Sequence, residues 1–239
     1  MTDPLKEIKM KKHISILASA LAVLSLASCS KDTEGLTQVT YYAVIDLEGP
    51  TYDQATAGKP YQDPGYSASM QGEDITDQVQ VKTSMNLSDP QPGFYTLTYE
   101  AINEDGFPAT ATRYVLVSDE GDDASGYWTT DATSYRDNNG IVYFGGYQVI
   151  IYGNGDGTYH VSDLLGGWYE FRAGYGSAYA CVGEIGISDD GKISMISSSV
   201  AGWGDSASAL SDGVFDASAK TMSWVVTYAG MNFHVNLSK

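Results

Sequence analysis

Asp89-Pro90-Gln91-Pro92-Gly93-Phe94-Tyr95-Thr96-Leu97-Thr98-Tyr99 is a turn running into a strand. Proline and glycine supply the backbone angles of a turn, and the aromatic and β-branched residues that follow suit a pleated, half-buried surface. A side-chain period of two places Tyr95 and Tyr99 on one face of that strand. The same grammar repeats on either side. Short apolar runs at residues 42–45, 75–81 and 114–117 are separated by the turn clusters Asp63-Pro64-Gly65 and Asn103-Glu104-Asp105-Gly106. Strands this short, with a turn signal every dozen residues or so, predict a β-sandwich over residues 41–118.

Residues 119–126 follow, and Glu120-Gly121-Asp122-Asp123-Ala124-Ser125-Gly126 within them is acidic and small, as expected of a hinge. Residues 127–239 hold all four Trp and ten of the 18 Tyr. Strand candidates lie at residues 147–152, 157–162, 178–187, 192–197, 221–228 and 231–237. Gly153-Asn154-Gly155-Asp156, Asp190-Gly191 and Ala229-Gly230 between them suit the positive φ angles of hairpin turns. Sequential hairpins without helical periodicity predict an antiparallel meander closing into a barrel-like domain. Residues 205–211 fit a short helix or a loop. The fold class is therefore all-β, with two domains expected to fold independently.

Composition agrees. The chain has 239 residues, 43% of them hydrophobic, which is enough for real cores, and only 18% charged. Residues 1–28 read as a processing segment: Lys9, Lys11 and Lys12 precede an apolar stretch from Ile14 to Leu26. At about 13 residues it is too short for a bilayer-spanning helix. Its end, Leu26-Ala27-Ser28-Cys29, resembles the lipobox of bacterial lipoprotein signal peptides. That resemblance implies cleavage before Cys29, lipidation of its thiol and attachment to a membrane; an ordinary secretory signal with a chance cysteine is the alternative. Residues 29–40 form a polar tether. Lys31-Asp32-Thr33-Glu34 within it resembles the acidic export signal of Bacteroides-type surface lipoproteins, which implies the outer face of the outer membrane, although any solvated tether has a similar make-up.

Loss of residues 1–28 removes Lys6, Lys9, Lys11 and Lys12 against Asp3 and Glu7, leaving 9 bases, 28 acids and a net charge of −19. Such a body repels phosphate backbones, so nucleic acid is excluded as a partner. The multiple acyl chains of a lipoprotein would supply stable attachment.

The first domain has a family resemblance. Tyr61-Gln62-Asp63-Pro64-Gly65, Asp74-Ile75-Thr76, the strand 92–99 quoted above and Asp105-Gly106-Phe107-Pro108-Ala109-Thr110-Ala111-Thr112-Arg113 resemble a bacterial Ig-like surface module. Phe107-Pro108 departs from the usual Asn at that point. The resemblance implies a stiff spacer whose tyrosines lock a sandwich corner. The whole layout resembles two-domain Bacteroides lipoproteins that look like accessory parts of Sus-type uptake systems, which implies a TonB-dependent channel and a lid lipoprotein as partners.

Chemistry is sparse. Cys181 sits alone in an apolar run with only His160 and His234 beyond the processing segment, and reads as a small core residue. No Gly-x-Ser-x-Gly elbow, phosphate-binding glycine motif or metal-ligand histidine pair occurs. Asp163, Glu170 and Glu184 could supply a glycosidase-like carboxylate pair, but among so many acids such pairs arise by chance. Asn154, Asp156 and Thr158 fit a plain hairpin better than a calcium loop. No enzyme activity, metal or cofactor is expected.

Residues 164–179 are the most informative stretch, with five aromatics and four glycines. Either the rings stand out on a Gly-rich loop, where flat apolar faces stack on sugars or grip peptides, or they fill the barrel. Trp203, between Gly202 and Gly204, is a second loop candidate. Trp168, Tyr169, Tyr175 and Trp203 are the expected contact residues, for a glycan or peptide or, in a purely structural subunit, for the transporter.

Overall fold

The computed structural model describes residues 39–239. Cys29, the tether up to residue 38 and the processing segment lie outside them.

Seven strands build the first domain: β1 (Val44–Leu47), β2 (Tyr52–Thr56), β3 (Tyr66–Met70), β4 (Glu73–Asp74), β5 (Gln80–Lys82), β6 (Gly93–Ile102) and β7 (Pro108–Ser118). They form two sheets, β1-β3-β4 and β2-β7-β6-β5, with β2 parallel to β7. The long β6–β7 pair carries Leu97, Tyr99, Val115 and Val117 into the core. The decisive strand thus begins where its turn residues place it.

The corner is locked by polar groups. Arg113 is fully buried, donating to the carbonyls of Pro50, Glu48 and Gly65 and to the Tyr99 hydroxyl, and pairing with Asp63 at 3.3 Å. Tyr99 donates in turn to Asp63 Oδ2 at 2.8 Å, and burial pushes its pKa up to about 12. Tyr95 donates to the Gln91 carbonyl at 3.1 Å. A buried cation is tolerable only when it is paired and hydrogen-bonded in this way.

Ten strands follow: β8 (Gly126–Thr130), β9 (Ser134–Asp137), β10 (Ile141–Phe144), β11 (Gln148–Gly153), β12 (Thr158–Val161), β13 (Val182–Ile187), β14 (Lys192–Ser199), β15 (Ala209–Asp216), β16 (Thr221–Tyr228) and β17 (Met231–Ser238). Their sheet runs β10-β9-β17-β16-β15-β14-β13-β12-β11-β8, and β17 pairs again with β8. Eight antiparallel strands therefore close into a barrel, with the β9–β10 hairpin attached along β17. A barrel of this size has an interior that side chains just fill. Trp128, Ile151, Val161, Ile185, Trp224, Val226, Phe233 and Val235 fill it, from alternating positions. The β16–β17 hairpin turns on Ala229 (φ 49°) and Gly230 (φ 76°).

Three expectations change. Residues 178–187 are not one strand: a 3₁₀ turn, Ser177–Tyr179, precedes β13. Residues 205–208 are loop and β15 begins at Ala209. The stretch expected to act as a hinge is clamped instead. Asp122 accepts from the backbone of Ala124 and Ser125 and from the Ser125 and Tyr159 hydroxyls, and Ala124 to Gly126 are buried. Beside it, Phe94 stacks on Tyr114 at 5.8 Å and on Tyr152 at 6.1 Å, while Tyr127 donates to the Asp53 carbonyl at 3.0 Å. The two domains meet through packed rings, because small acidic residues followed by aromatics make a docked joint as readily as a loose one.

Candidate functional site

β14 and β15 pair only through Lys192–Val214 and Ile193–Gly213. Beyond that point they part, and the segment joining them turns tightly, with the Val200 and Trp203 amides donating to the Asp205 and Val200 carbonyls at 2.8 and 3.1 Å. This turn carries Trp203 outward. Opposite it lies the crossing from β12 to β13, residues 162–181, which covers one end of the barrel.

A buried carboxylate pins that crossing. Asp163 accepts the backbone N–H groups of Leu165, Gly167 and Cys181 at 2.8, 2.9 and 3.1 Å. Desolvation pushes its pKa up to about 6, against the three N–H donors that favour the ionised form. The Leu164 carbonyl accepts from Trp224 Nε1 and the Gly166 carbonyl from Thr130 Oγ1. Leu164 and Leu165, wholly buried, plug the barrel. Gly167 stands at φ 84°, and a Cβ there would come within 2.7 Å of Tyr147 Cβ. That tight left-handed step starts a single π-helical turn, Trp168–Arg172.

The expected contact residues separate here. Trp168 is 3% exposed and is a core ring, edge-on to Phe144 and Phe233, with the guanidinium carbons of Arg136 and Arg172 4.6 and 4.3 Å from its ring centre. The expectation that it makes surface contacts is overturned: the Gly167 step aims it inward. Tyr169 is half-buried, Tyr175 is 55% exposed and Trp203 is 43% exposed.

These three do come together. Trp203 packs edge-on to Tyr169 (4.7 Å), Tyr175 (5.8 Å) and Tyr179 (4.7 Å) and stacks near Tyr228 (6.1 Å). The Gly202 amide donates to the Ala178 carbonyl, hooking the two loops together, and a Cβ on Gly202 would strike the Tyr179 ring at 2.6 Å. Two open clefts adjoin. One of about 420 Å³ lies among Gly174, Tyr175, Tyr179 and Trp203. The other, about 360 Å³, is lined by Tyr169, Tyr175, Trp203, Asp205, Tyr228 and Ala229. Tyr175 and Trp203 are the wall between them. Tyr228 donates to Asp205 Oδ1 at 2.7 Å, which fixes a carboxylate at the cleft edge.

Sequence reasoning missed Asp205, whereas Tyr228 is a core residue whose ring also lines the second cleft. Tyr228 is 2% exposed yet ends an inward-facing run at the cleft, and no local pattern marks Asp205.

Most of the remaining chemical candidates have structural partners; Glu170 is partly buried, and desolvation pushes its pKa up. Cys181 is free and buried, and burial, reinforced by the Asp163 charge, pushes its thiol up to about 12, far from a ready nucleophile. Glu184 pairs with His160 at 2.8 Å and accepts from Asn154. Among the described residues no group of three or more His, Cys, Asp or Glu is placed to hold a metal ion.

Residues 45–117 match the family described as bacterial surface protein, Ig-like domain, and residues 118–239 match a family described as a C-terminal domain. The solved lipoprotein BT2262 from Bacteroides thetaiotaomicron is 40% identical, with a TM-score of 0.75, over 83% of this chain and 100% of that one. The chain belongs to this family of bacterial surface lipoproteins. No protein of curated function matches it. Within the family frame, the Ig-like sandwich and the barrel account for the matched regions, and the aromatic clefts lie wholly in the C-terminal one.

Proposed function

We propose that this surface lipoprotein is a non-catalytic, outward-facing component of the outer membrane that binds a nutrient glycan through its aromatic clefts. In this reading it serves as an accessory of a Sus-type uptake system, beside a TonB-dependent channel and its lid lipoprotein. One observation carries the binding role: an exposed Tyr175–Trp203 wall stands between two open clefts on loops that are pinned from beneath. Flat ring faces stack on the apolar faces of sugars, and pre-organised loops lose little freedom on binding.

Affinity electrophoresis of the detergent-solubilised protein in gels containing soluble polysaccharides tests the reading. At least one polysaccharide should retard it, and Trp203→Ala and Tyr175→Ala should each abolish the retardation while keeping the β-type circular dichroism. Retention by peptides alone, or co-purification with the channel that survives both substitutions in the absence of any glycan binding, would defeat it.

A further inference from the structure

The two clefts share Tyr175 and Trp203, so whatever fills one lies against the same two rings as whatever fills the other. Volumes of about 420 and 360 Å³ each suit a small unit such as a single sugar, at the lower end of ligand-site sizes. The Tyr175 and Trp203 rings, which line both clefts, meet edge to face at 87°. The polar side-chain groups on the residues lining the clefts are tyrosine hydroxyls, the Trp203 indole N–H and one carboxylate, Asp205; no lysine or arginine is among them. The guanidiniums of Arg136 and Arg172 lie over the Trp168 ring, and the Arg136 charge is felt at Tyr169, on the lining of the second cleft. The full chain carries a net charge of −17, which adds repulsion of anions to the local carboxylate.

Resting on the glycan reading above, we propose that the clefts are consecutive subsites for a neutral oligosaccharide whose chain crosses the Tyr175–Trp203 ridge, and that Asp205 turns away uronate and sulfated sugars. A carboxylate or sulfate placed in the second cleft would lie inside the screening distance of Asp205, about 8 Å at physiological salt, with no lysine or arginine in the lining to pair with it. Hydroxyl groups of a neutral sugar would instead find acceptors in Asp205 and donors in the tyrosines.

Isothermal titration of the full chain in detergent tests this with malto-, laminari-, manno- and xylo-oligosaccharides of increasing length, alongside oligogalacturonates and heparin-derived tetrasaccharides. At least one neutral series should bind. Its affinity should rise about tenfold or more from the single sugar to the two- or three-unit chain and then level off, as two filled subsites require. Asp205→Asn keeps an acceptor for the Tyr228 hydroxyl and removes the charge, so it should narrow the neutral-over-acidic preference. A single sugar that binds as tightly as the longer chains, or acidic chains that match the neutral ones, would overturn the proposal. If acidic chains win and Trp203→Ala still abolishes their binding, glycan binding stands and only this inference falls. If no sugar binds at all, both fall.

Discussion

Gly167-Trp168 and Gly202-Trp203 are alike in sequence and opposite in fate. Both tryptophans follow a glycine, and both lie in loops that cover the same end of the barrel. Trp168 closes the core, between two phenylalanine edges and two guanidinium groups, whereas Trp203 stands in a ring of four tyrosines with nearly half its surface in water. The difference lies in what holds the preceding backbone. Asp163 draws the Gly167 amide inward, while the Gly202 amide is tied to a neighbouring loop at the surface. A glycine beside an aromatic announces a turn, and the polar partner of that turn decides which way the ring faces.

Substitutions can break this contrast. Trp168→Ala should cost about 3–5 kcal/mol of folding stability, the usual loss for a large core ring, read from chemical denaturation. Asp163→Ala should come next, at about 3 kcal/mol, since three buried N–H groups lose their acceptor and each unmet donor costs about 1–3 kcal/mol before any relaxation. Gly167→Ala combines a left-handed φ with a close approach to Tyr147 and should cost about 1–3 kcal/mol. Trp203→Ala should cost about 1 kcal/mol or less, yet weaken glycan binding about thirtyfold, the equivalent of about 2 kcal/mol at a hot spot. Should Trp203→Ala destabilise the protein as much as Trp168→Ala, both rings are packing residues and the contrast is false.

Asp163 adds a pH dependence that sharpens the picture. With its pKa pushed up to about 6 in the fold, against about 3.9 for an ordinary Asp, the folded chain binds that proton more tightly than the unfolded chain does. Ionisation therefore works against folding as pH rises from about 4 to about 6. The stability advantage of the native protein over Asp163→Asn should be largest near pH 4 and smaller above pH 6. An advantage that grows across that window would mean that the backbone donors outweigh burial.

The sandwich was readable because its turns announce themselves: Asp63-Pro64-Gly65 and Pro92-Gly93 need proline and glycine angles, and β6 and β7 are long enough to show alternation. β2 is polar at three of its five positions, and β3 alternates only over five residues with small Ser and Ala among them, so both gave weak signals. In the barrel, β16 and β17 alternate cleanly and were placed within a residue of their ends. β8, β9 and β10 are short, and the pairing of β8 and β9 with β17 joins residues about a hundred positions apart, which no local pattern can show. Grouping Tyr169, Tyr175 and Trp203 was possible from composition alone. Assigning Trp168 required knowing that Leu164-Leu165 dives into the barrel, and that apolar pair was the available hint. Asp205 reaches the clefts through a turn between strands that part company, a feature of three-dimensional register only.

Of the four tryptophans, Trp128, Trp168 and Trp224 are sealed in the interior and Trp203 alone meets solvent. Their emission therefore divides into a blue, quencher-resistant part and a single red-shifted, iodide-accessible part. The four tyrosines around Trp203 lie within easy energy-transfer distance, so light absorbed by them is funnelled to the one indole on the ridge. The protein carries a native optical probe at the place where a ligand is proposed to sit, and occupancy of the clefts can be followed there without any attached label.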